Sequence, residues 1–156
     1  MSTVRPPAEK PPLRGTHPRY PSSDGMPMAD NDEQLRWIVT LHGNLTYLFR
    51  DRADVQVSAD NLIYPVKNRP KISRAPDVYV AFGVPKEDRA CFLVWEEGVF
   101  PQVVFEIRSP SNRAFGMAQK LAFYEQYGAE EYYDFDPKKN RLRCTCDGGR
   151  SSRRRK

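Results

Sequence analysis

Two acids and a lysine stand out by their surroundings. Glu106 lies in the run Pro101-Gln-Val-Val-Phe-Glu106-Ile-Arg108-Ser109-Pro110, whose alternation and β-branched content predict a strand. Along it Val103, Phe105 and Ile107 share one face, and Val104, Glu106 and Arg108 the other. Asp77 lies in a second predicted strand, Ala75-Pro-Asp77-Val-Tyr-Val-Ala-Phe82, on the face of Tyr79. A carboxylate among apolar neighbours is costly unless a cation faces it. Lys120 belongs to a segment of helical period over residues 112–127, at three, four and seven residues from Phe123, Tyr124 and Tyr127. Its stem either runs along those rings to water or turns inward to a carboxylate.

Two carboxylates a few ångströms apart both stay ionised only with a cation between them. Hard oxygen ligands suit Mg²⁺ or Mn²⁺. Such an ion polarises a phosphodiester and acidifies a bound water, which a nearby lysine can orient or deprotonate. Aromatic neighbours would lower the Lys120 pKa by desolvation if it turned inward. Arg108 is a poor proton acceptor, so it is expected to stabilise charge or hold Glu106. The same residues also fit a salt-bridged sheet face, with Glu106 paired to Arg108 or Lys120 and no chemistry.

The elements that must position these groups follow from pattern. Asp30-Asn31-Asp32-Glu33 offers an N-cap and an acidic first turn. Leu35, Ile38, Leu41, Leu45, Leu48 and Phe49 then recur at helical spacing. Val55-Gln-Val57 and Leu62-Ile-Tyr64 predict a bent pair of strands, and residues 91–95 an extended stretch. Gly128 stops the second helix. Strands over 131–135 and 141–146 follow. The order predicts an α/β or α+β domain, a mixed sheet with a helix on each side.

One domain fits 156 residues. Residues 1–29 hold seven of the fourteen prolines and few large apolar side chains, predicting a disordered or extended arm. Residues 30–143 form the domain, and 144–156 a disordered basic tail. Of the net charge of +5, the first 29 residues carry four basic and two acidic side chains and the last fourteen carry six and one. The middle is therefore slightly acidic. Basic tails attract nucleic acid loosely and do not make a shaped groove. Neither a secretory signal nor a membrane-spanning run is present, so a cytoplasmic location is expected. Cys144-Thr-Cys146 alone cannot supply four zinc ligands, and only His17 and His42 could add to it, so the three cysteines read as reduced thiols.

Several stretches together resemble one family. They are Ala75-Pro-Asp77-Val-Tyr-Val-Ala-Phe-Gly, Trp95-Glu-Glu-Gly, Pro101 to Arg113, Lys120-Leu-Ala-Phe-Tyr124-Glu-Gln-Tyr-Gly, and Glu130-Glu-Tyr-Tyr-Asp-Phe-Asp136-Pro. In order and spacing they are similar to the Uma-two restriction endonuclease family, of the PD-(D/E)XK nuclease superfamily, over residues 20–140. The resemblance implies a restriction-endonuclease-like core, a central mixed β-sheet flanked by helices. It implies DNA as substrate, Mg²⁺ or Mn²⁺ as cofactor, and a homodimer as an open option. By the same likeness Asp77 and Glu106 are acidic metal ligands, the backbone carbonyl of Ile107 is a further ligand, and Lys120 is the catalytic lysine. Arg108 stands where the wider superfamily has its lysine. Beyond Asp136-Pro137 the chain departs from the family and reads as truncated. The alternative to a DNA endonuclease is therefore an inactive relative with only a binding role or none.

Overall fold

The computed structural model describes residues 10–146. Residues 147–156 of the expected tail and the first nine residues of the arm lie outside them. In chain order the elements are α1 (Asp32–Leu48), β1 (Val55–Ala59), β2 (Ile63–Tyr64), β3 (Val78–Phe82), β4 (Phe92–Leu93), α2 (Val94–Glu97), β5 (Val103–Ile107), α3 (Ala114–Tyr127), β6 (Glu131–Asp136) and β7 (Arg141–Cys146). Five of the strands make one mixed sheet in the order β1-β3-β5-β6-β7. Only β5 and β6 are parallel, and α3 is the crossover between them. The short pair β2-β4 forms a separate parallel sheet. Residues 91–95, expected to stay extended, turn into the single-turn helix α2 at Val94.

The two faces of the sheet have different covers. Asn31 caps α1 by accepting the Gln34 N–H, and Asp32 and Glu33 occupy the acidic first turn. From α1, Ile38 is fully buried against Val78 and Ile107, with Leu41 and Leu45 beside it. On the other face Tyr124 of α3 packs with Tyr79, Val104 and Tyr132. The central strand β3 is covered on both sides, so Val78, Tyr79, Val80 and Ala81 are all buried. Helix α3 ends at Gly128, whose φ of 123° disfavours a side chain, and an added Cβ would lie 3.2 Å from Phe100.

Residues 10–29 of the arm form no helix and no named strand, and they dock on the domain. Tyr20 is buried among Leu62, Tyr64, Cys91 and Leu93, its ring 5.0 Å from that of Trp95. Gly15, at φ 77°, lets the chain pass the Cys91 backbone so closely that any Cβ would collide with its carbonyl oxygen. Arg14 and Arg89 both donate to the buried carboxylate of Glu97, at 2.7 and 2.8 Å. Prolines prevent regular structure here, but one tyrosine and one arginine are enough to seat the segment. The last strand also runs to Cys146, three residues beyond the expected end of the domain.

Burial alone would raise the Glu97 carboxyl, but the hydrogen bonds from Arg89 and Arg14 outweigh it and hold the group below its ordinary value. A carboxyl lower in the folded state stabilises fully above its unfolded pKa and loses that effect as pH falls through the folded value. Glu97→Gln is therefore expected to cost about 3–5 kcal/mol near pH 7, because the Arg89 side chain is fully buried and left without its anion. The gap between variant and wild type in denaturant titrations should shrink below pH ~4. A gap that stays constant down to pH ~3 would mean that packing, not the ion pair, carries the effect.

Candidate active site

Backbone register brings the acids together. In the antiparallel pair β3–β5, Tyr79 faces Val104 and Val78 faces Phe105. Carried one residue further, Asp77 stands opposite Glu106, and paired residues share a face. That face is the one α3 covers. Asp77 Oδ2 accepts the Ile107 backbone N–H at 2.6 Å. Glu106 is buried, with 1% of its surface exposed. Its Oε2 accepts from Lys120 Nζ at 3.0 Å and its Oε1 from the Tyr124 hydroxyl at 2.9 Å. Lys120 and Tyr124 reach the same carboxylate because they lie four residues apart on α3.

Arg108 does not turn to Glu106. It lies just past β5 and forks onto Asp134 of β6, with bonds of 2.7 and 2.5 Å. Asp134 is the β6 residue in register with Glu106, so these two acids each have their own cation while Asp77, among the described residues, has none. The expectation that Arg108 might hold Glu106 is corrected by that pairing.

The direction expected for Lys120 is also corrected. Burial works against its charge, but the Glu106 carboxylate outweighs burial and holds the ammonium above its ordinary value. Lys120 is thus a fixed cation at neutral pH and a poor base. Asp77 behaves oppositely. Burial first, and then repulsion from Glu106, push its carboxyl up to about 8. Burial likewise raises Glu106 against the opposing pull of Lys120 and Tyr124. The Tyr124 hydroxyl is held well above its ordinary value by burial and by the Glu106 charge, so it remains a donor.

Further residues complete the surroundings that pattern alone does not assign to the site. Gln34 donates from Nε2 to the Ile107 carbonyl at 2.8 Å, while its Oε1 accepts the Asp30 N–H at 2.8 Å. The signal was present in Asn31-x-x-Gln34, a capping-box spacing. Tyr124 appeared only as part of an apolar stripe. Asp30 accepts the hydroxyls of Ser109 and Ser111, which hold its carboxyl low and tie the start of α1 to the β5–α3 loop. Asn112 accepts the Ser109 N–H at 2.6 Å, closing that loop.

Asp77, Lys120 and Tyr124 line a cleft of about 340 Å³, with Asp24, Asp30, Asp60, Gln34 and Arg74 among its other walls. The donor set suits a divalent cation. Asp77 retains an oxygen not used on Ile107, and the Ile107 carbonyl retains a lone pair beyond its bond to Gln34. The Asp77 carboxyl, raised by burial and by the Glu106 charge, is relieved by a cation between the two acids. Among the described residues no group of three or more His, Cys, Asp or Glu gathers as a metal cluster, so a third protein ligand would have to be a neutral oxygen such as that carbonyl.

Comparison with known proteins bears on the family and the fold. The family model Uma2, described as "Putative restriction endonuclease", matches residues 19–155. A crystal structure of a putative nuclease belonging to DUF820 from Anabaena variabilis superposes with a TM-score of 0.62 at 13% identity. The match covers 80% of this chain and 66% of that one, a likeness of fold. The chain thus spans just under two thirds of that relative's length. No curated protein matches the chain.

Proposed function

The chain belongs to the Uma2 family of putative restriction endonucleases, and from that premise we propose that it hydrolyses DNA phosphodiester bonds with Mg²⁺ or Mn²⁺ at the cleft that Asp77 and Lys120 line. The observation that carries this reading is the Asp77 carboxyl, pushed to about 8 beside a buried Glu106 that already has Lys120 and Tyr124 on it. Such destabilised acids at a cleft mark sites built for a ligand. Asp77, Glu106 and the Ile107 carbonyl would hold the cation. When bound, it supplies polarisation of the phosphate and a more acidic water.

The chain's own residues then divide the work. Lys120 spends one of its three N–H groups on Glu106 and has the others for a water or a phosphate oxygen. As a fixed ammonium it offsets the charge that develops on the phosphoryl oxygens. Tyr124 keeps Glu106 oriented, and Gln34 fixes the Ile107 carbonyl. Arg108 braces the ends of β5 and β6 through Asp134.

No helix among the described residues is long and apolar enough to cross a membrane. All three cysteines are free thiols, which favours the reducing cytoplasm as the place of action. The test of the function is conversion of supercoiled plasmid to open circles by the wild type with Mn²⁺. Relaxation that EDTA stops is the expected result. Absence of nicking across supercoiled, linear and single-stranded DNA would favour the non-catalytic relative.

A further inference from the structure

The cations around the site are not equivalent. Lys120 is bound to Glu106, Arg108 to Asp134, and Arg14 and Arg89 to Glu97. Arg74 lines the same cleft as Asp77 and Lys120, yet among the described residues its guanidinium meets no carboxylate and donates no hydrogen bond. Its backbone is held firmly. The Arg74 N–H donates to the Ile63 carbonyl at 3.3 Å, and the Ile63 N–H donates back at 2.8 Å. Its guanidinium carbon lies 5.6 Å from the centre of the Phe123 ring on α3, the helix that also carries Lys120. A guanidinium resting on a ring keeps its edge N–H groups for a planar or tetrahedral anion.

The cleft also needs such a group. Asp24, Asp30, Asp60 and Asp77 line it, and an acidic wall repels a polyanion unless cations answer it. The Arg74 charge reaches the floor of the site, where it acts on Glu106, Lys120 and Tyr124.

We propose that Arg74 binds a backbone phosphate of the DNA strand lying in the cleft, next to the phosphate that is cleaved. This rests on the nuclease reading above and assigns it a substrate contact. Arg74 is a binding residue that sets the strand's position, while cleavage itself belongs to the Asp77, Glu106 and Lys120 group.

The test compares wild type, Arg74→Gln and Arg74→Lys. Binding of a fluorescein-labelled mixed-sequence duplex is followed by anisotropy in Ca²⁺ between 50 and 200 mM KCl, and plasmid nicking is followed in Mn²⁺. Arg74→Gln should weaken duplex binding about tenfold and reduce the slope of log K against log salt by about one. In nicking it should raise KM while kcat stays within about threefold, the mark of a contact made equally before and during the reaction. Arg74→Lys keeps the charge and loses the fork, so it should keep the wild-type slope with weaker binding. If circular dichroism shows that Arg74→Gln does not fold, the lysine variant decides: weaker binding at unchanged slope supports the assignment, and wild-type affinity overturns it. A folded Arg74→Gln with wild-type affinity and slope, beside an active wild type, overturns Arg74 and spares the nuclease. A wild type that binds duplex through Arg74 but never nicks supports the contact and defeats the nuclease reading. A wild type that neither binds nor nicks overturns both.

Discussion

Lys120→Ala should lower Mn²⁺-dependent plasmid nicking by at least ~10²-fold, whereas Arg108→Leu keeps a substantial part of it. The difference comes from what each cation touches. Lys120 holds the buried Glu106 and faces the cleft, so its removal takes away both the counter-charge and the donor for water or phosphate. Arg108 is committed to Asp134, away from Glu106. Its loss should lower thermal stability by leaving a buried aspartate without its partner. Circular dichroism melts on both variants separate the cases. A folded Lys120→Ala with full activity, beside a folded and inactive Arg108→Leu, would reverse the assignment.

Asp77→Asn should make the metal-free protein more stable while abolishing its response to Mn²⁺. The Asp77 carboxyl sits at about 8 because burial, and then Glu106, disfavour its charge. In the folded state it therefore binds a proton more tightly than in the unfolded chain, where its pKa is ~3.9. Stability consequently falls as pH rises from ~4 to ~8. Asparagine has no charge to penalise and its side-chain oxygen can still accept the Ile107 N–H. At pH 8 the variant should exceed wild type by on the order of 1–3 kcal/mol, with the gap closing toward pH ~4. Added Mn²⁺ should raise the melting temperature of wild type alone. A variant less stable than wild type at every pH would mean that Asp77 serves as a structural bond to Ile107 and not as a strained ligand.

Much of this arrangement is legible in the sequence, and the gaps have physical causes. Period-two runs around Glu106 and Asp77 disclose β5 and β3, and Asn31 with its following acids discloses the start of α1. The resemblance carried by those same runs points to Asp77 and Lys120, which line the cleft, and to Glu106, which lies buried against Lys120. What local pattern cannot supply is register. Arg108 finds Asp134 because β6 pairs parallel to β5 after a crossover of more than twenty residues, a choice that nothing near Arg108 encodes. The direction of the Lys120 shift depends on the same long-range contact: aromatic neighbours alone would lower it, and Glu106 reverses the sign. The docking of residues 10–29 is hidden for another reason. Proline content predicts the absence of helix and strand, but Tyr20 and Arg14 dock through side chains onto partners distant in the sequence.

The most direct test of the proposed metal site is calorimetric titration of Mn²⁺ into wild type and Glu106→Ala at pH 8. The account predicts saturable binding to each wild-type chain and its loss in a Glu106→Ala protein that circular dichroism shows to be folded. Equal binding by the two proteins, or no binding by the wild type, would contradict it.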